Sequence, residues 1–217
     1  MVKPLRILIG CEYSGTVRRA FNSLGHDAWS CDLLAAEDGS NQHFRGDVRE
    51  FLHMGWDALA VMHPPCTRLC NSGVRWLSKA PPGRELADMW AELDDAARLF
   101  SDLWNVDVTH GISRVCIENP VMHKHAKARI AGFSEFSQSI QPWQYGHGEC
   151  KRTCLWLKGL PHLTPTDIVE GREQRIHMMS PGPNRWKERS RFFTGIADAM
   201  AMQWGGMVDE IAQGETA

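Results

Sequence analysis

The sequence predicts an α/β fold built on a doubly wound, mostly parallel sheet of the Rossmann-like type. Short apolar runs that are typical of buried strands alternate with amphipathic helical segments through the first half of the 217-residue chain. This alternation indicates parallel strands joined by right-handed helical crossovers, with helices on both faces of the sheet. Several strands are followed at once by cysteine or an acidic residue, and the carboxyl edge of such a sheet is where ligands bind.

The individual elements follow in order from these patterns. Residues 6–10 (RILIG) are a predicted buried strand, and residues 16–24 are a helix that ends at Gly25, a residue type favoured just after helices. Further strands are predicted at 26–31, from Asp57 onward, at 114–117 and at 153–157, and further helices at 48–54, 84–105 and 196–204. Apolar residues recur on one face of the helix 84–105, so we expect its aromatic side chains in the core and not around a cofactor.

The predicted domain organisation is a single catalytic domain over residues 1–217, without internal repeats or low-complexity linkers. Residues 163–191 are rich in proline, glycine and charge, and they are predicted to form an irregular basic excursion on the surface of that domain. The polar segment 67–83 is too long for a plain connector, so we expect it to move or to bind a ligand.

Composition narrows the classes of function. With 43% hydrophobic and 23% charged residues, the chain has the composition of an ordinary soluble globular protein. A net charge of −2 excludes a global basic field, so any site for a polyanion must be a local patch. No apolar run approaches the length of a membrane span, and the segment before Cys11 is too short for a lipoprotein signal and is interrupted by Arg6. We therefore expect a cytoplasmic protein without a membrane partner.

The seven cysteines are an odd number without a CxxC pair, which predicts free thiols in a reducing compartment. Cys66 and Cys70 have CxxxC spacing, as do Cys150 and Cys154, and this spacing leaves zinc open as a minor alternative. Tetrahedral zinc sites usually have more closely paired ligands. The prediction is that no metal is bound.

The stretch 57–66 (DALAVMHPPC) carries the main candidate for chemistry. Its two prolines end a buried strand, and the first of them is expected to push His63 toward an extended conformation. Cys66 is thereby held on a rigid turn just past the carboxyl end of the strand. A thiol in this place is a nucleophile if a neighbouring charge or a helix N-terminus lowers its pKa. The alternative is a turn in which a small apolar cysteine packs inward.

A second candidate, Glu118, follows the predicted strand 114–117 directly. If the two strands are near neighbours, Glu118 and Cys66 face the same crevice. A thiolate beside a carboxylic acid suits addition to a pyrimidine: the thiol attacks C6, and the acid, protonated or sharing a proton, hydrogen-bonds N3. The activated C5 then attacks an electrophilic carbon, a base removes the C5 proton, and the thiol leaves.

The loop after the first strand contains Ser14 and Gly15, the second strand ends at Asp32, and Asp47 follows Gly46. In doubly wound folds this arrangement binds an adenosine-containing cofactor, because the glycine lets the backbone approach and the acid at the tip of strand two accepts bonds from ribose hydroxyls. The alternative is that both acids are ordinary turn residues.

The order of these pieces resembles the DNA cytosine-5 methyltransferases, especially their short bacteriophage form, from about residue 6 to residue 205. The matching motifs are Tyr13-Ser14-Gly15 with the cofactor loop Phe-x-Gly, Pro64-Pro65-Cys66 with Pro-Pro-Cys, Glu118-Asn119-Pro120 with Glu-Asn-Val, Arg152 with an arginine of the Gln-x-Arg-x-Arg strand, and 195–203 with the last cofactor-pocket motif. The resemblance implies S-adenosylmethionine as cofactor, with these catalytic residues: Cys66, Glu118, Asn119 and Arg152. It implies the following cofactor contacts: Tyr13, Ser14, Gly15, Asp32, Asp47, Pro64, Gly195 and Ile196.

The chain departs from the family pattern in several places. Val17 replaces the second glycine of the cofactor loop, Thr67 follows Cys66 where the family often has glutamine, and the Arg-x-Arg strand is shortened. Little room remains for a target-recognition domain, and only the excursion 163–191 is available for one. That excursion carries six basic residues, which are predicted to bind phosphates or else to be a solvated loop: Arg172, Arg175, Arg185, Lys187, Arg189 and Arg191.

In the family, the loop after the nucleophile closes over a flipped base, and here the corresponding loop holds Arg68, Arg75, Trp76 and Lys79. The residues that we predict to bind DNA are Arg68, Arg75, Trp76, Arg185 and Arg189. With so few recognition contacts, we expect the substrate to be cytosine-containing DNA in single strands or at short, relaxed sites.

The leading hypothesis is transfer of a one-carbon group from S-adenosylmethionine to C5 of cytosine in DNA, through a covalent Cys–C6 adduct. A variant of this hypothesis keeps the chemistry but uses carboxy-S-adenosylmethionine and leaves 5-carboxymethylcytosine, which requires a cation near the transferred carbon. An enzyme acting on free pyrimidine nucleotides and a non-catalytic regulator that binds the cofactor or DNA are two competing hypotheses. A nicotinamide-dependent oxidoreductase has only the fold in its favour.

Overall fold

The computed structural model of the protein describes residues 3–61, 63–182 and 185–206. Within these residues, seven strands form one mixed sheet: β1 (Arg6–Gly10), β2 (Asp27–Asp32), β3 (His43–Arg45), β4 (Ala58–Val61), β5 (Arg114–Asn119), β6 (Gln138–Ile140) and β7 (Thr153–Lys158). The strand order is β3-β2-β1-β4-β5-β7-β6. The first five strands are mutually parallel, and β7 runs antiparallel to both of its neighbours. This arrangement confirms the predicted fold class, a doubly wound, mostly parallel Rossmann-like sheet.

The helices of the described part are α1 (Thr16–Ser23), α2 (Leu86–Trp104), α3 (Val106–Thr109), α4 (Lys124–Lys127), α5 (Arg175–Met178), α6 (Arg185–Ser190) and α7 (Thr194–Gly205). Short 3-10 segments lie at Val48–Phe51, Asn71–Leu77 and Pro142–Gln144. None of the described helices is both long enough and apolar enough to cross a membrane.

Two apolar layers sandwich the sheet and explain why it is wound on both faces. On one face, α2 turns Met89, Leu93 and Phe100 into a core in which each is at most 1% exposed. On the other face, α1 and α7 pack together, and Phe21 and Met200 are buried between them and the sheet. As expected, the aromatic residues on the buried face of α2 lie in the core.

The predicted strands and helices are present, with small shifts at their ends. The predicted helix 48–54 is wrong in type and length, since the chain forms only a four-residue 3-10 segment there. Two strands, β3 and β6, were not predicted. Each has three residues, which is too short for a hydrophobic period to be visible, and each exists because a neighbouring strand supplies its hydrogen bonds.

The excursion 163–191 is fastened to the edge of the sheet at its start. Leu163 is 2% exposed, its amide donates to the side-chain oxygen of Gln138 at 2.8 Å, and the Gln138 side-chain nitrogen donates back to its carbonyl at 2.7 Å. Two isolated bridges, Tyr145 with Asp167 and Glu149 with Glu173, continue this attachment. The described part of the excursion is otherwise loop, with the short helices α5 and α6.

Trp156 on β7 tests the packing of the core on the face of the sheet that α2 covers. It is 1% exposed, contacts Phe100 and Phe136 edge-on at 5.5 and 5.9 Å, and donates its indole N–H to the Ser134 carbonyl at 2.9 Å. We expect Trp156→Ala to lower the free energy of unfolding by about 3–5 kcal/mol. Trp156→Phe should cost about 1–3 kcal/mol, because the hydrogen bond to the Ser134 carbonyl is lost and the smaller ring leaves a void.

Urea denaturation followed by circular dichroism measures both changes. The control is Val108→Ala, whose side chain is 83% exposed and should change the free energy of unfolding by no more than about 0.5 kcal/mol. Equal stabilities of Trp156→Ala and the control would contradict the described packing.

Candidate active site at the carboxyl edge of the sheet

The pairing of β4 with β5 brings the two chemical candidates to one edge of the sheet. The strands run parallel in register from Ala58 opposite Arg114 to Val61 opposite Ile117, so the turn after β4 lies beside the end of β5. Glu118 is 1% exposed and Asn119 is fully buried. The Asn119 amide nitrogen donates to the Pro64 carbonyl at 3.4 Å, which ties the end of β5 to the turn that carries Cys66.

His63, which precedes the two prolines, turns toward Glu118. Its φ is 55°, so the expectation of an extended conformation is wrong. Its ring nitrogen Nδ1 lies 2.8 Å from Glu118 Oε2, and the ring also meets Phe192 edge-on at 5.8 Å. These two contacts hold the backbone in the left-handed region, in which residues other than glycine are uncommon.

The charges around Glu118 keep its carboxyl ionised. Burial raises the pKa of Glu118, but the neighbouring His63 and Lys151 outweigh that effect and hold the pKa below its usual range. Burial also lowers the pKa of His63 and that of Lys151. We infer that His63 is a neutral imidazole near pH 7 whose Nδ1 proton faces the Glu118 carboxylate.

Lys151 faces the site, whereas the neighbouring Arg152 does not. Arg152 is exposed, donates to the Ser139 hydroxyl at 3.2 Å and lies over the Phe136 ring at 5.6 Å. Lys151 is partly buried, and its charge acts on both Glu118 and Cys66.

The Cys66 thiol has a second thiol as its neighbour. The Cys70 amide donates to the Cys66 carbonyl at 2.9 Å, so the chain folds back over one turn. A hydrogen bond between the two sulfur atoms, together with burial, raises the pKa of Cys66. The same bond lowers the pKa of Cys70 to about 5, helped by Ser72, whose hydroxyl lies 3.1 Å from the Cys70 sulfur. The two sulfur atoms therefore share the Cys66 proton in a hydrogen bond that Cys66 donates to Cys70.

The cysteines form neither disulfides nor a metal centre in the described structure. All seven are free thiols. In the described ranges, no three His, Cys, Asp or Glu side chains are grouped so as to hold a metal ion.

A cleft with a volume of about 150 Å³ opens beside this edge. Its lining comes from the ends of β1, β2 and β4 and from the segment around α6: Cys11, Glu12, Tyr13, Ser14, Asp32, Leu34, His63, Trp186, Ser190 and Phe192. The rings of Tyr13 and Trp186 lie 6.4 Å apart as two aromatic walls. Asp32 accepts the Leu34 amide at 2.9 Å, and burial raises its pKa. Four of the predicted cofactor residues thus surround or adjoin one cleft: Tyr13, Ser14, Gly15 and Asp32.

The loop beneath the cleft is shaped by Glu12. Its carboxylate accepts the amides of Val17 at 2.6 Å and Arg18 at 3.2 Å, which are otherwise unpaired donors in the first turn of α1. Burial raises the pKa of Glu12 to about 7. Gly15 has φ 67°, and a Cβ there would lie 2.3 Å from the Arg18 guanidinium. Val17, which stands in place of a second glycine, is fully buried in the core.

The other predicted cofactor residues do not line the cleft. Asp47 caps a 3-10 segment and is paired with Arg49 at 2.6 Å, while Pro64 is buried below the turn. Gly195 packs against the Tyr145 carbonyl, which would lie 1.9 Å from a Cβ, and Ile196 is fully buried in the core.

The predicted DNA-binding residues after Cys66 differ in whether their side chains are exposed and whether they are already paired. Arg68 is 11% exposed and is paired with Glu92 at 2.7 Å. Arg75 is exposed and stacks its guanidinium over the Trp76 ring at 4.3 Å, while Trp76 is partly buried against the core. The two residues of the excursion that were predicted to bind DNA donate hydrogen bonds to backbone carbonyls of the excursion itself. Arg185 donates to Met179 at 2.9 Å, and Arg189 donates to Ile176 at 3.1 Å.

Sequence reasoning missed five residues of the site: Glu12, His63, Lys151, Trp186 and Phe192. Two of them had a visible signal. His63 belongs to the stretch that was singled out for Cys66, and Trp186 is the aromatic residue within the basic excursion. The others owe their position to contacts between distant segments, such as the Lys151 ammonium donating to the Arg189 carbonyl at 3.2 Å.

Comparison with known proteins finds no matching protein-family model and no matching curated protein. Similar solved structures include a protein described as a DNA modification methyltransferase encoded within a prophage of E. coli (TM-score 0.48, 13% identity, 82% of this chain covered). Two others are the Entamoeba histolytica methyltransferase EhMeth (TM-score 0.45, 11% identity, 84% of this chain covered) and the S. pombe Dnmt2 methyltransferase (TM-score 0.42, 12% identity, 82% of this chain covered). This chain spans 55%, 62% and 55% of those three chains, respectively.

The shared proton of the two thiols has a measurable consequence. We expect Cys70→Ala to move the alkylation of Cys66 by iodoacetamide to lower pH, because the variant removes a hydrogen bond and a charge that raise the Cys66 pKa. A shift of about one pH unit corresponds to about 1.4 kcal/mol, the size of one such bond. Peptide mass spectrometry of Cys66 across pH measures it, with Cys150→Ala as control. An unchanged pH profile would mean that the thiols do not share a proton.

Proposed function

We propose that the protein transfers a one-carbon group from a sulfonium donor of the S-adenosylmethionine type to C5 of cytosine in DNA. The observation that carries the proposal is the meeting of Cys66 and Glu118 at one edge of the sheet, next to a cleft that Asp32 lines from the tip of β2. A nucleophile, a buried carboxylate and a site for a nucleoside-containing donor are together there.

The residues of the cleft fit an adenosine-containing donor. Asp32 lies where an acid accepts bonds from ribose hydroxyls in doubly wound folds. Tyr13 and Trp186 offer two aromatic faces against which an adenine ring can stack. Gly15 lets the donor approach the backbone of the loop closely, since its φ of 67° and its crowded Cβ position exclude a side chain. A sulfonium donor bound there would supply an electrophilic carbon.

Buried acceptor atoms support cytosine as the other substrate. Asn119 Oδ1 is buried without a hydrogen-bond partner among the described residues, and the buried Glu118 carboxylate has a second oxygen besides the one that faces His63 Nδ1. Buried polar atoms are rarely left in this state outside functional sites. Cytosine presents an amino group and, once the ring is activated, an N3–H, and both are donors that match these acceptors.

The thiol and the carboxylate have complementary tasks in the proposed reaction. The Cys66 sulfur adds to C6 of cytosine, and the proton that the thiol loses is transferred to N3, where Glu118 accepts its hydrogen bond. C5 thereby becomes nucleophilic and bonds to the donor carbon. Loss of the C5 proton then forms the C5–C6 double bond as the C6–S bond breaks with its electron pair on sulfur, and N3 returns its proton to that sulfur. Lys151 opposes the accumulation of negative charge around Cys66 and Glu118.

The polymer substrate follows from the exposed side chains around the site. Arg75 stacked on Trp76 provides an exposed cation beside an aromatic surface in the segment after Cys66. Such pairs contact phosphates and bases of single strands. Because Arg68 is already paired with Glu92, few cations are available for a long recognition site. We therefore propose single-stranded DNA or short, relaxed sites as substrate, with 163–191 as a reduced recognition region.

The test compares the wild-type protein with Cys66→Ala on mixed-sequence DNA, single- and double-stranded. Both donors, S-adenosylmethionine and its carboxy derivative, are supplied, and the DNA is digested to nucleosides and weighed by mass spectrometry. We expect a modified cytosine with the wild type and none with Cys66→Ala, since the variant cannot form the C6 adduct. Cys150→Ala, which changes a half-buried thiol outside the proposed machinery, should still yield product.

Two outcomes would contradict the proposal. Donor binding without any product on DNA would favour an enzyme acting on free pyrimidine nucleotides, or a regulator that only binds. Product formation by Cys66→Ala at the wild-type level would exclude the covalent mechanism.

Lys151 favours a second candidate, transfer of a carboxymethyl group from carboxy-S-adenosylmethionine. That donor needs a cation near its transferred carbon, and the Lys151 ammonium acts on both Cys66 and Glu118. We expect Lys151→Met to reduce the carboxymethyl product about tenfold or more relative to the methyl product, because a charge-assisted bond of about 1.5–3 kcal/mol is lost. Arg152→Met is the matched control, since its side chain is exposed. Formation of methyl product alone, with both donors present, would rule out this candidate.

A further inference from the structure

His63 stands at the boundary between the cleft and the buried carboxylate. It lines the cleft with Tyr13 and Phe192, and it also contacts Glu118 through Nδ1. In the proposed reaction the donor carbon arrives from the cleft and C5 of cytosine is held by Glu118 and Cys66. The side chain between them is therefore adjacent to the atom that must lose a proton after transfer.

The backbone of His63 is held in a costly conformation. Among the described residues, only Cys11 and His63 combine a side chain with a positive φ, at 57° and 55°. They follow the paired strands β1 and β4, and both line the cleft. Such a conformation is strained and persists only where the surrounding contacts fix it, which is common at functional sites.

The imidazole has one nitrogen engaged and one without a partner. Nδ1 faces Glu118, which is 1% exposed, while the His63 side chain is 13% exposed. Nε2 is buried and has no hydrogen-bond partner within the described ranges. With its pKa lowered by burial, the ring is neutral near pH 7 and, with the Nδ1 proton toward the carboxylate, has its lone pair on Nε2.

We propose that His63 is the general base that removes the C5 proton, with Glu118 holding the imidazole through Nδ1. The inference rests on the proposed function and adds a catalytic residue to it. Nε2 accepts the proton, the C5–H electron pair forms the C5–C6 double bond, and the C6–S bond breaks with its electrons on the Cys66 sulfur. The imidazolium that results is stabilised by the Glu118 carboxylate and later releases its proton to solvent.

Several charged groups set the pH at which this base works. Glu118 favours the protonated ring, whereas Lys151 disfavours it. Cys66 lies three residues along the same turn, and Glu12 and Asp32 line the same cleft. Since burial has the largest effect, the rate should fall only when the pH drops below the ordinary histidine pKa of about 6.5.

The test is His63→Gly with and without added imidazole. Glycine adopts the observed φ without strain, so the variant should fold, and removal of the ring leaves space for imidazole at the same place. We expect product formation to fall by about 10²–10⁴-fold and imidazole to restore at least part of it. A covalent protein–DNA complex that carries the transferred group should accumulate in the variant and be visible by mass spectrometry after denaturation.

Two further variants separate catalysis from structure. Cys11→Gly relieves the same backbone strain without removing a base, so imidazole should not accelerate it. His63→Asn keeps a residue type that tolerates a positive φ, and it should lose both the activity and the acid limb of the pH–rate profile. Thermal unfolding of each variant verifies that it is folded.

Distinct results would overturn the inference and the proposed function. A wild-type rate in His63→Gly, or a loss that imidazole does not restore and that leaves no covalent complex, would overturn the assignment of His63 as base. An inactive wild-type protein, on every DNA and with both donors, would instead overturn the proposed function itself.

Discussion

The buried charge of Glu118 is the constraint on which the arrangement of the site depends. A carboxylate that is 1% exposed would be expensive to keep ionised without partners. The structure surrounds it with an imidazole at 2.8 Å and with the ammonium group of Lys151, and these come from two different segments of the chain. The turn after β4, the end of β5 and the segment before β7 must therefore all be in place before the charge is tolerable.

The same three segments place the thiol. Asn119, directly after Glu118, holds the Pro64 carbonyl, so the position of Cys66 is tied to the end of β5. The segment beyond Cys66 is fastened as well: the Asn71 amide donates to the Val121 carbonyl at 3.2 Å. Nucleophile and carboxylate are thus held relative to each other through hydrogen bonds that do not use their own reactive atoms. Such preorganisation is what a covalent mechanism requires, because displacing a reacting group by about 1 Å lowers the reaction rate strongly.

The cleft depends on a second buried carboxylate with a different task. Glu12 accepts the first amides of α1, which fixes the loop that carries Tyr13 and Ser14. Burial moves its pKa to about 7, so its charge is supported chiefly by backbone donors. The strained residues Cys11 and His63 end the neighbouring strands β1 and β4. Both redirect the chain abruptly at the edge of the sheet, and this opens space for a ligand between the strand ends.

The local sequence pattern by itself determined the architecture and placed Cys66 and Glu118 after two of its strands. The apolar run of β1 and the one-sided apolar face of α2 predict buried elements, and the chain cannot expose them without losing burial energy. Given a parallel sheet, Cys66 and Glu118 after two strands must lie at its carboxyl edge. Only tertiary contacts decided which other side chains face the site and which are packed or paired elsewhere. Lys151 faces the site in place of Arg152, because Lys151 is held by the Arg189 carbonyl and Arg152 by the Ser139 hydroxyl. Ile196 is core and Arg68 is paired with Glu92, since packing partners distant in the chain settle what a side chain touches.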